Sequence, residues 1–140
     1  MDRAEAHQLI DHDLAKIPEV RSACLAILDF LSSINPDIIQ RLTFGQLMKT
    51  AGVTEPADIL PAVQYLTGAR LHLLDPKFEF VDALTDFVEE IPLEVVAQAR
   101  AESMFIHPEK GEPVENFEAS LFMFFVPSER AKSLSEAGGD

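Results

Sequence analysis

Apolar residues recur along the first part of the chain with the period of a helix. Ala6, Leu9, Ile10, Leu14 and Ile17 share one face of a helix predicted over residues 4–17. Pro18 ends or kinks that helix, biases Ile17 away from helical angles, and suits the first turn of a second helix. Residues 19–34 place Val20, Ala23, Cys24, Ile27, Leu31 and Ile34 on one face, with Leu25, Leu28 and Phe30 elsewhere. A helix apolar on more than one side is covered on more than one side. Residues 43–82 supply one cover; the N-terminal helix, the C-terminal part or a dimer partner supplies the other. Asn35-Pro36 breaks the helix.

Thr43 and Gln46 have the spacing of a capping box. They open a helix over 44–51 that buries Phe44, Leu47 and Met48, and Gly52 suits a left-handed turn after it. Pro56 and Pro61 fit only early in a helix, so a third helix starts between Glu55 and Asp58. It runs to Thr67, closes at Gly68, and presents Ile59, Leu60, Val63 and Leu66 on its apolar face. Residues 71–74 and 78–81 read as two short strands joined by Asp75-Pro76-Lys77. In the order and spacing of these elements, residues 19–82 resemble the winged-helix (helix-turn-helix) superfamily. The resemblance implies a three-helix core carrying a two-stranded β-hairpin wing. It rests on no signature motif and points to no specific family within the superfamily.

Beyond the wing the pattern again reads as helical. Asp82 can cap a helix over 83–90 that carries Ala83, Leu84, Phe87 and Val88, until Ile91-Pro92 interrupts it. Residues 93–104 form another helical stretch, and 107–113 a loop rich in proline and glutamate. Asn116 is a good N-cap for 117–126, where Phe117, Leu121 and Phe124/Phe125 have helical spacing; the aromatic density suits a buried strand as well, and helix is preferred. The predicted fold is mainly α: a winged helix with an N-terminal helix and a C-terminal helical extension over 83–134. These form one domain over 1–134, followed by a disordered tail at 135–140.

Charge alters the functional expectation that this shape would carry. The formal net charge is −13 over 140 residues, and no segment is basic. Residues 83–140 alone have 12 acidic and 4 basic side chains. Such a balance keeps a protein soluble and repels polyanions, which argues against nucleic acid and anionic membrane as partners. The longest apolar run, residues 121–126, is far shorter than the roughly 20 residues that span a bilayer. Residues 1–13 are polar and acidic rather than signal-like, and the single cysteine cannot form an internal disulfide. These features predict a cytoplasmic protein.

A DNA-reading helix needs side chains that reach base edges, with further cations on phosphates. Residues 57–67 offer only Gln64 and Tyr65, beside Asp58, and the nearby cations are Lys49, Arg70 and Lys77. His7 and Asp11 share a helical face, with His12 about 140° away from His7. That is too few ligands for zinc, which wants three or four. His72 reads as a wing side chain, and His107 as part of a turn with Glu109 and Glu112 facing water. Cys24 lies on the apolar stripe and is expected to be a buried, inert thiol. Glu89 and Glu90 read as solvated neighbours, without the convergent geometry of an acid–base pair. The acids Glu102, Glu109, Glu112, Glu115 and Glu118 flank Phe105, Phe117, Phe122, Phe124 and Phe125. These phenylalanines are expected to be core over helix 19–34, with one or two left partly exposed. No catalytic, metal-binding or cofactor-binding motif is found, so no enzyme activity, cofactor or small-molecule substrate is expected. The expected function is a protein–protein interaction adaptor or regulatory subunit that binds another protein or itself, through Gln64, Tyr65, Arg70, His72 and Lys77. The alternatives are a dimeric DNA-binding transcriptional regulator and an acidic inhibitor that imitates nucleic acid.

Overall fold

The computed structural model describes residues 1–35 and 41–137, and the chain is of mixed α/β class. It divides into two compact units, Met1–Asp75 with Phe125–Asp140, and Pro76–Phe124. The break at Pro36 and the tail residues 138–140 lie outside the described residues.

The first unit is helical. It holds α1 (Arg3–Asp13), α2 (Pro18–Ser33), α3 (Phe44–Ala51), α4 (Pro56–Thr67) and α6 (Glu129–Ala137). Helix α2 buries Val20, Ala23, Cys24, Ile27, Leu28 and Leu31, and α1, α3, α4 and α6 all pack on it. This is the many-sided cover that its composition requires. The Thr43–Gln46 capping box forms in both directions, at 3.1 and 2.9 Å. Gly52 ends α3 at φ 71°, the left-handed conformation that a side chain disfavours. Pro56 opens α4, but Pro61 sits in its interior, one turn later than a proline is comfortable. Leu42 and Phe125 exchange two backbone hydrogen bonds of 2.8 Å, and Phe44 stands edge-on to Phe125. Ser128 caps α6 by accepting from the Ala131 amide at 3.1 Å. The expected disordered tail is therefore helical as far as Ala137.

The second unit is a sheet with one helix: the helix expected over 93–104 forms, but those expected over 83–90 and 117–126 do not. Strand β1 (Leu74–Asp82) is continuous through Pro76, β2 is Phe87–Ile91, and β3 is Leu121–Pro127, in the order β2-β1-β3. The predicted turn at Asp75-Pro76-Lys77 does not exist. The antiparallel ladder to β2 starts only at Phe78, so the missing Pro76 N–H costs no bond on that side. The hairpin turn lies at 83–86 instead. The helix expected over 83–90 from Ala83, Leu84, Phe87 and Val88 is instead this turn followed by β2, where Phe87 and Ile91, four apart, fit a strand face as well as a helix face. In β2 both face inward, opposite Asp82 and Phe78. Helix α5 spans Leu93–Glu102. The predicted helix over 117–126 is a short 3₁₀ turn, Phe117–Ser120, leading into β3, and Asn116 adopts φ 52° without capping through its side chain. Leu121 and Met123 join the core cluster of Phe78, Phe80, Ile91, Val96, Ala99 and Phe105, so Phe122 faces the opposite side. Phe105 and Phe117 thus belong to this second core, and Phe122 is the half-exposed member of the set. Among the described residues, no helix is long and apolar enough to cross a membrane.

Candidate functional site

The side chains expected to bind a partner are mostly occupied within the chain. Asp13, at the end of α1, accepts from Tyr65 Oη at 2.6 Å and from Arg70 Nε and Nη2 at 2.8 and 3.0 Å. Arg70 and Tyr65 together hold the Asp13 carboxyl at about 2, against an ordinary 3.8. Burial and the Asp13 bond push the Tyr65 phenol up, and the same carboxylate raises Arg70. His72 is in no strand. It takes a left-handed φ of 40° ahead of β1, its carbonyl accepts from Ser128 Oγ at 2.7 Å, and its Nε2 lies 2.5 Å from Asp75. Lys77 stands within β1, 3.9 Å from Glu90. Gln64 is exposed on α4. His7 and Asp11 pair at 3.0 Å, as their spacing predicts. Cys24 is fully buried, and burial pushes its thiol up to about 12.

The most organised polar cluster lies in the second unit, around Asp82. Alternation along β1 places Asp82 on the same buried face as Phe78 and Phe80. A carboxylate there needs partners. Its Oδ1 accepts from the Leu84 amide at 3.0 Å, and its own carbonyl accepts from the amides of Thr85 and Asp86, at 3.2 and 2.8 Å. The Asp82 side chain, expected to cap a helix at residue 83, instead closes a turn, as aspartate often does. Asp86 then reverses the chain at φ 61°.

The other carboxylate oxygen, Oδ2, accepts from His107 Nε2 at 2.9 Å, with Lys110 Nζ at 3.6 Å. His107 was expected to face water and is instead buried, its ring stacked on Phe87 and edge-on to Phe80. Its Nδ1 accepts from the amides of Glu109 and Lys110, both at 3.1 Å. That fixes the tautomer: Nδ1 is bare and Nε2 carries the proton donated to Asp82. His107, then the Leu84 amide, bring the Asp82 carboxyl down to about 2 despite its burial. With both ring nitrogens engaged, His107 has none left to take a proton from a substrate or to ligate a metal. Among the described residues, no group of three or more His, Cys, Asp or Glu is placed to hold a metal ion.

What this network presents is Leu84, 92% exposed at the tip of the β1–β2 hairpin. Beside it is a cavity of about 300 Å³, lined among others by Phe80, Asp82, His107, Lys110 and Glu112. Sequence reasoning missed Asp82, Leu84 and His107 as a group. The usable signal was the alternation Phe78, Phe80, Asp82, which puts a carboxylate on a core face and so demands a buried donor elsewhere in the chain. Against known proteins, no family model matches the chain, nor does any curated protein or solved structure.

Proposed function

We propose that the chain is a non-enzymatic protein–protein interaction module, an acidic adaptor or regulatory subunit, and that the β1–β2 hairpin tip engages its partner. The observation that carries this reading is Leu84, exposed on a turn whose backbone and flanking loop are both tied to Asp82. An exposed leucine alone is ordinary. One held on an immobilised turn is different, because the ordering that binding would otherwise cost has already taken place. The engagement of both His107 nitrogens supports a structural role for the Asp82–His107 pair over an acid–base one. The order α2, α3, Gly52 turn, α4, hairpin supports a winged-helix relationship, with the wing at β1–β2.

The test is retention of proteins from an extract of the source organism on immobilised chain. A partner held by the unaltered protein and by Leu60→Asp, but lost from Leu84→Asp, supports the reading. Retention unchanged by Leu84→Asp, or lost only with Leu60→Asp on α4, overturns the assignment to the hairpin tip.

A further inference from the structure

Helix α5 turns only Val96 and Ala99 inward. Its last residue gives way to Ser103 at φ 56°, and the chain doubles back beside it. On that return Phe105 is buried, whereas Met104 and Ile106 are exposed by 51% and 47%. Val95, on α5, is exposed by 42%. Between helix and returning segment runs a groove of about 220 Å³, lined by Val95, Ala99, Met104, Phe105 and Ile106, with Gln98 and Glu102 bonded to each other at 3.1 Å.

The groove is fixed in shape. The Met104 amide donates to Ala99 at 3.0 Å, Val114 to Phe105 at 2.8 Å, and Ile106 bridges to Pro113. Three large apolar side chains gathered at one depression differ from apolar residues scattered singly. The volume falls below the roughly 300–1,000 Å³ of small-molecule sites and suits one large side chain. The second unit carries 11 acidic and 3 basic side chains. All three bases are already paired: Lys77 with Glu90, Arg100 with Glu118, and Lys110 with Asp82. The unit's excess of carboxylates, with Glu102 on the groove itself, attracts a cationic partner and opposes a second copy of a chain of charge −13.

We propose that this groove receives one large apolar side chain from a lysine- and arginine-rich segment of another protein. The inference rests on the interaction reading above but on a different surface, so the two fail separately. The probe is a synthetic 15-residue peptide with a central leucine among lysines and arginines, titrated into the full chain while methyl NMR signals are followed. Saturable shifts are expected at Val95, Met104 and Ile106. Affinity should fall about tenfold when the peptide leucine becomes alanine, and about tenfold for the Met104→Lys protein. Binding should vanish when glutamates replace the peptide's cations, and Leu84→Asp should leave it intact. Any of these results overturns the proposal: no shifts at millimolar peptide, equal binding of the alanine peptide, or groove shifts that depend on protein concentration without peptide. The last would indicate self-association. Loss of peptide binding in Leu84→Asp would place the contact at the hairpin tip instead.

Discussion

Replacing His107 with alanine separates the network from its surroundings. The substitution removes one charge-assisted bond to Asp82, worth about 1.5–3 kcal/mol, and two acceptor bonds to the Glu109 and Lys110 amides. Those two amides belong to exposed residues that water can reach, so they contribute about 0.5 kcal/mol each. The lost ring contacts to Phe80 and Phe87 add about 0.5 kcal/mol more. The cost is therefore about 3–4.5 kcal/mol, concentrated in the 83–86 turn and the 107–111 loop. Amide hydrogen exchange at Leu84, Asp86 and Gly111 should accelerate on the order of a hundred- to a thousandfold, if these amides open locally. Carboxyl NMR should show Asp82 titrating near 2 in the unaltered protein and nearer its ordinary value in His107→Ala. Unchanged exchange together with an unchanged Asp82 titration would refute the account of the network.

Further predictions follow from single contacts. Asp13 and Asp82 both have carboxyls lowered to about 2 from 3.8, so each stabilises the fold above about pH 4 and ceases to do so as pH falls toward 2. Acid titrations followed by circular dichroism should lose stability over that window, and Asp13→Asn should lose less. Cys24, with its thiol near 12, should resist a thiol reagent at pH 8 in the native protein and react once it is unfolded in urea. An alanine at Gly52 meets no atom within 4 Å, so its cost is the left-handed backbone alone. Gly52→Ala should lose about 1 kcal/mol in a urea titration read by Tyr65 fluorescence.

The helical half of the chain was legible because its signals are local. Thr43 and Gln46 cap over three residues, Gly52 stops α3, and Pro18 and Pro56 start α2 and α4. Of the sheet, only the strand over 78–81, now inside β1, was legible; β2 and β3 were not, because their signals are long-range. Phe87 and Ile91 fit a helix face as well as a strand face until β1 is known to lie beside them. Phe117, Leu121 and Phe124 misled in the same way, since only the packing of Leu121 and Met123 on the shared core reveals period two. Pro76 suggested a turn, and its place ahead of the β2 ladder removes the conflict. The expected partner-binding residues were chosen for being polar near a protruding helix. Tyr65 and Arg70 are consumed by Asp13, 52 and 57 residues away in sequence, which no local pattern reveals.

The hairpin tip can be tested in place by putting a photo-activatable leucine analogue at position 84 and irradiating cells of the source organism. A discrete cross-linked protein from position 84, absent when the probe sits at the exposed Ala15, is the predicted result. Cross-linking from position 64 on α4 with none from 84 would contradict the account and move the interaction to the α4 surface.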